Sequence, residues 1–251
     1  MNNLTKGIIA IIIASFGYSI MEFMVKLTIA VPVLEQVLFR NTIVIFIALI
    51  IILKKKVNIL GYKENRLKLL LRSIFGTIGI ATSFYSYSHL ILSNADIILK
   101  TAPFILIILS AVFLKEHTTK IQLFLASLAL IGVFLIVHPT SFNKNIIPYI
   151  YAIVGAISAA FAYLMLRVIA KSQYKESPYT VILWFGVIST IIFIPSAIIY
   201  WKPLSLQDFI LLIICGIGGA IGQFGLTLAY YISSAKEISI YAYSGVIFTT
   251  I

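Results

Sequence analysis

Glu22, Arg40 and Lys100 interrupt stretches of the chain that are otherwise apolar. An ionised group at the centre of a bilayer costs at least about 2.5–3.5 kcal/mol, so each of these side chains needs a partner or a purpose. With ~1.5 Å of rise per helical residue, all three fall within about 7–12 Å of the same membrane surface. One negative and two positive groups at a common depth neutralise each other in part and leave a net positive spot. Such a spot suits an anionic or zwitterionic solute, an amino acid or another carboxylate. The competing arrangement has Arg40 and Lys100 snorkelling outward with Glu22 in the interface, and depth alone does not separate the two. Uncharged candidates for the same site are Tyr18, Tyr85, Trp184, Gln223 and Tyr243, which lie inside apolar runs and offer hydrogen bonds or stacking faces. Gln223 stands out among them, because an unpaired amide in hydrocarbon costs several kcal/mol.

Other charged residues sit nearer the ends of runs. Arg167 is a candidate inner gate, although topology alone also accounts for it. Glu116 ties helix ends together beside Lys115, Glu237 opens a helix whose positive N-terminus favours a carboxylate, and Glu35 reads as a solvated end. Enzyme chemistry finds little to use. His89, His117 and His138 are not spaced as a metal set, no serine lies near a base, and Asp96 and Asp208 both fall close to run ends. Cys215 is the single cysteine, so no intrachain disulfide forms. No metal or cofactor is implied. A structural or regulatory membrane protein is the alternative to a carrier, and a solid core without a cavity would favour it.

The elements that position these groups follow from composition. Hydrophobic residues make up 61% of 251 residues and charged ones 11%, against roughly 45–50% and about 25% in soluble proteins. Mean hydropathy is +1.08. Nine apolar runs are long enough to cross a hydrocarbon core, near residues 7–26, 32–53, 67–88, 93–114, 119–138, 147–170, 178–200, 207–231 and 235–251. They are continuous rather than alternating, which predicts an all-α, polytopic membrane helical bundle and not a β-barrel. With the N-terminus in the cytoplasm, 14 of the 19 Lys and Arg residues fall on inner segments and three (Lys26, Lys144, Lys202) on outer ones. That asymmetry is the positive-inside pattern of a multi-pass protein of a bacterial-type inner (plasma) membrane, and it accounts for the net charge of +11 without nucleic acid.

A shift of 140 residues lays Ile74–Ile108 on Ile214–Phe248 with nine identical pairs, among them Gly76/Gly216, Gly79/Gly219, Phe84/Phe224, Ser93/Ser233 and Ala102/Ala242. A shift of 145 aligns Ala14, Phe16, Tyr18 and Lys26 with Ala159, Phe161, Tyr163 and Lys171. Span 1 then answers to span 6, span 3 to span 8 and span 4 to span 9. Units of five helices, residues 1–145 and 146–251, would lie inverted with respect to each other, an arrangement found in many carriers. The second unit lacks a counterpart to span 5, and the sequence stops at Thr249-Thr250-Ile251 within an apolar run. The expectation is a nine-span chain whose complete form has a tenth helix.

Several segments together resemble the EamA-type ten-helix carriers of the drug/metabolite transporter superfamily. These are Ala14-Ser15-Phe16-Gly17-Tyr18 through Lys26, Phe39-Arg40-Asn41, Ala95 through Pro103 with Phe113-Leu114-Lys115-Glu116, Gly132 through Ile136, Gln223-Phe224-Gly225, and Ala235 through Ser239. The chain departs from the family in having Phe16 where many members carry tryptophan, and in lacking helix ten. The resemblance implies a central cavity between the two repeats and movement of small metabolites by alternating access. It implies membrane lipid as the surroundings and leaves the substrate and the coupling ion open, with Glu22 as a candidate proton site.

Overall fold

The computed structural model describes residues 2–116, 119–121, 124–125, 127–128, 131–132 and 145–250. The helices are α1 (Asn3–Leu27), α2 (Val33–Lys55), α3 (Arg66–His89), α4 (Leu92–Leu99), α5 (Ala102–Leu114), α6 (Ile147–Ala170), α7 (Pro178–Tyr200), α8 (Leu206–Ile232), α9 (Ala235–Ile238) and α10 (Ser244–Thr250). Local chemistry sets their starts. The Asn2 side chain accepts the Thr5 N–H, Ser177 accepts the N–H of Tyr179 ahead of α7, and Ser205 accepts that of Asp208 at the head of α8. Pro148 and Pro178 occupy first turns, where their missing N–H costs nothing.

Seven helical spans among the described residues are long and apolar enough to cross a membrane, with α4 and α5 forming one of them. No strand occurs among the described residues. The chain is a polytopic all-α bundle. Its surface is the inverse of a soluble protein's, since Ile13, Phe46, Leu53, Val112, Ile191 and Ile198 are exposed while Glu22, Arg40, Asn41, Arg72 and Asp96 are buried.

One run differs from the sequence expectation, and another is left largely undescribed. Most of 119–138 lies outside the described residues, as do His117 and His138. The run 235–251 is not one continuous helix: a 3₁₀ segment, Ser239–Tyr243, separates α9 from α10. Irregular backbone at this depth survives only if protein satisfies it. Here the hydroxyls of Ser15 and Ser19 on α1 donate to the carbonyls of Ala242 (3.3 Å) and Gly245 (3.2 Å). The span formed by α4 and α5 also breaks, at Lys100–Thr101, where Pro103 cannot continue the ladder from α4.

Helix packing is dominated by two antiparallel pairs. In α1 and α8 the backbones touch: a Cβ on Gly17 would strike Gly218 and Gly222, and one on Gly225 would strike the Ala10 carbonyl. In α3 and α6 the Gly79 and Ala159 backbones approach closely, and Ser86 donates to the Pro148 carbonyl (3.1 Å). Because α1 and α3 meet at matching ends, through Lys26 Nζ to the Leu90 carbonyl (2.6 Å), they run the same way. It follows that α3 runs opposite to α8. On one flank, α2 and α7 are joined by Asn41 Nδ2 donating to Ser189 Oγ (2.8 Å).

Candidate functional site

A cavity of about 140 Å³ lies at the centre of the bundle and takes lining residues from every one of the seven spans. The core is therefore not solid. The cavity wall has two polar regions, separated by Tyr18, Gly76 and Gly79.

The first region is acidic and lies toward the end of the bundle that holds Leu27 and His89. Tyr87 Oη donates to Glu22 Oε1 (3.0 Å), while Glu22 Oε2 meets no donor. Asp96 pairs with Lys100 at 3.3 Å, one helical turn apart on α4. Lys100 is the C-cap of α4 and shares the inward face of Asp96, four residues earlier. Space for its ammonium exists because Gly245 has no side chain: a Cβ there would come within 2.6 Å of Lys100 Nζ.

The second region is basic. Arg40, 1% exposed, donates from Nη1 to Asn41 Oδ1 and from Nη2 to Gln223 Oε1, both at 2.9 Å. The two amides are themselves braced, Asn41 by Ser189 (2.8 Å) and Gln223 by Thr227 (3.0 Å). Arg72, 2% exposed, has no hydrogen bond to its Nε or Nη1 and no carboxylate partner among the described residues. Both guanidinium groups sit against one ring, that of Phe185, with Arg40 Cζ 5.2 Å and Arg72 Cζ 4.6 Å from its centroid.

Of the residues singled out in the sequence, Glu22, Arg40, Lys100, Tyr18 and Gln223 line this cavity together. Tyr243 is buried beside the lining residue Ala242, with its hydroxyl unpartnered. Two candidates lie off the cavity. The Tyr85 ring packs on His89 and Tyr151, with centroids 4.1 and 4.4 Å away. The lining face of α3 runs through Arg72, Gly76, Gly79, Ser83 and Tyr87, and Tyr85 is turned about 200° from its neighbours on that face. Trp184 packs against an apolar cluster that includes Val181 and Leu226, and the next residue, Phe185, takes the cavity position.

Arg167 does not line the cavity but closes the lysine-rich end of the bundle. Its Nη2 donates to Glu116 Oε1 (2.8 Å) and its Nη1 to the Tyr230 carbonyl (3.1 Å), and Lys171 Nζ reaches the same Glu116 oxygen at 2.8 Å. Burial pushes the Glu116 carboxyl up, but hydrogen bonds from Lys171 and Arg167 and their charge more than offset it and hold the group below its usual range. Glu35 is not a solvated end. It is fully buried, and its Oε1 accepts the backbone N–H of Lys202 at 2.7 Å.

Arg72, Asp96, Tyr87, Tyr163 and Phe185 were not anticipated as lining residues. Arg72 is one of the Lys and Arg residues counted on the inner side, with Arg66 and Lys68, although its spacing to Gly76 and Gly79 marks a single helical face. The shift of 145 that aligns Tyr18 with Tyr163 also carries Arg40 onto Phe185, which was a usable signal.

An all-helical membrane bundle with charged side chains gathered around an internal cavity fits a membrane transport protein. Residues 5–138, more than half of the chain, match the model of the EamA-like transporter family. The chain belongs to that family, within the drug/metabolite transporters. It is 29% identical over 250 residues to the pseudopaline exporter CntI of Pseudomonas aeruginosa, covering 98% of this chain and 85% of that one. It is 27% identical to solute carrier family 35 member G1 of Mus musculus, covering 98% and 70%. It is 26% identical to the S-adenosylmethionine uptake transporter of Rickettsia bellii, covering 76% and 66%. A solved crystal structure at 15% identity superimposes with a TM-score of 0.81 over 98% of this chain and 86% of the other. It shares the fold.

Proposed function

We propose that the protein is a secondary active carrier that moves a small metabolite, amino acid-like or otherwise small and polar or amphipathic, across the inner membrane by alternating access. The observation that carries this reading is the central cavity, where Glu22, Arg40, Arg72, Asp96 and Lys100 meet inside an apolar bundle. Five ionisable groups at such a depth are expensive, and a pathway for a polar solute is their usual reason. The relatives named above include an exporter and an uptake transporter, which supports transport as the activity.

The chain in this reading has nine spans in two inverted repeats, 1–145 and 146–251, with a cytoplasmic N-terminus. The fifth span is the run 119–138, and the ninth is α9, the 3₁₀ segment and α10. Several features support the inversion. Helices α3 and α8 run opposite ways, exchanging repeats converts the α1–α8 pair into the α6–α3 pair, and spans 4 and 9 both break at equivalent places. Arg167 with Glu116 and Lys171 serves as the inner gate. Glu22 serves as the coupling-proton site, with Tyr87 holding one of its oxygens and leaving the other open.

Uptake by purified protein in proteoliposomes, with labelled amino acids, nucleotides and cationic dyes, tests the reading. At least one polar solute is expected to accumulate when a proton gradient is imposed. In Lys100→Ala, which strands Asp96, uptake of that solute is expected to fall about tenfold or more. Full uptake of every accepted solute by this variant removes the charged cavity from the transport path.

A further inference from the structure

Arg72 is the one charged cavity residue with neither a counter-ion nor a hydrogen bond recorded for it among the described residues. It is 2% exposed, its Nε and Nη1 have no acceptor, and it lies over the face of Phe185. Gly76 keeps the fork accessible, because a Cβ at that position would collide with the Arg72 guanidinium and lie 2.9 Å from the Phe185 ring. Arg40, against the same ring, is held in place by one hydrogen bond from each terminal nitrogen to a braced amide. Two cations therefore face one small space, one already fixed and the other with its donors free.

From this we infer that Arg72 is the carboxylate-binding residue of the cavity, taking a substrate carboxylate in a two-pronged hydrogen bond over Phe185, with Arg40 supplying a fixed second positive charge. The inference rests on the carrier reading above and adds the orientation of the solute to it. A planar carboxylate matches the guanidinium fork. A free phosphate fits less well, because it brings no cationic group to the wall that holds Glu22 and Asp96. In the acidic region Asp96 is paired with Lys100 while Glu22 Oε2 meets no donor, so a hydrogen-bond donor such as an amino group at the far end of the solute finds an acceptor there. The ligand class is a small zwitterion with its carboxylate toward Arg72 and its amino group toward Glu22.

The test uses the full chain in lipid nanodiscs, with the proteinogenic L-amino acids, their carboxamides and inorganic phosphate as probes of thermal stability. At least one amino acid should raise the melting temperature saturably, and its carboxamide and phosphate should not. Arg72→Met should weaken that binding by at least ~30-fold. Because the substitution removes an uncompensated buried charge, the ligand-free variant should melt at least ~2–4 °C higher than the wild type. Arg72→Lys keeps the charge without the fork and should bind at least ~10-fold more weakly than the wild type. The inference is overturned if no amino acid stabilises the protein, if the carboxamide or phosphate does as well, or if Arg72→Met keeps the response. Proteoliposome uptake of the same amino acid separates the two levels. Arg72-dependent binding without any uptake removes the carrier and leaves the site. Uptake by Arg72→Met with an unchanged KM removes the site and leaves the carrier.

Discussion

Arg167 and Arg72 are both arginines buried in this bundle, 7% and 2% exposed, yet their surroundings differ completely. Arg167 shares Glu116 with Lys171 and also donates to the Tyr230 carbonyl. Arg72 has an aromatic ring beside it and nothing to accept its Nε or Nη1 protons. Burying a cation costs several kcal/mol, and a hydrogen-bonded carboxylate recovers most of it. A fold that recovers the cost at one arginine and leaves it standing at another treats the first as a tie between helices. The second remains available to something that arrives.

Replacing each arginine should therefore move stability in opposite directions. Arg167→Ala takes one hydrogen-bonded cation from the buried Glu116 and removes the link to Tyr230, so a loss of about 3 kcal/mol is expected. Thermal unfolding in nanodiscs measures it, and a change within error would show that the tie is not structural. The next largest effect concerns the space that Arg72 uses. Gly76→Ala puts a methyl group against the guanidinium and the Phe185 ring, which should cost about 1–2 kcal/mol and weaken amino-acid binding. Gly79→Ala is its control, since the nearest atom to an added Cβ there is 3.4 Å away. Its stability should change by less than about 0.5 kcal/mol. Equal effects from the two would mean that Gly76 is not holding room for Arg72.

The smallest effect is that of pH. The Glu116 carboxyl is held below its usual value in the folded protein. The stability it contributes is complete above the unfolded-state value of about 4.3 and disappears as pH falls through the lower folded value. The melting temperature should decline as the solution is acidified from pH 5 toward pH 3, and Glu116→Gln should flatten that decline. An identical slope in the variant would assign the acid sensitivity to other carboxylates.

Much of the architecture was legible, because long uninterrupted apolar runs leave few alternatives to membrane helices. Glu22, Arg40 and Lys100 were visible as functional candidates for the same reason: a charge within such a run is conspicuous. Arg72 was hidden because it follows Arg66 and Lys68, where a further basic residue reads as topology. Asp96 was hidden because it stands close to the start of an apolar run, where an acidic residue reads as a helix end. Tyr85 and Tyr87 are equivalent by composition, and only the face of α3 decides which one reaches Glu22. Span 9 looks continuous to any hydropathy average, since what interrupts it is a set of carbonyl bonds to Ser15 and Ser19 on a distant helix.

The glycine contacts within α1–α8 and the close approach of α3 to α6 carry a mechanical consequence. Each pair joins one helix from the first half of the chain to one from the second, and in α1–α8 the backbones are too close to slide without first separating. The levers of this molecule are therefore cross-linked couples and do not coincide with the two halves of its sequence. Any rocking that exposes the cavity alternately to the two sides has its fulcrum along the line between α1–α8 and α3–α6. Spectroscopic labels on α1 and α8 should keep their spacing through a transport cycle while labels on α1 and α6 change theirs.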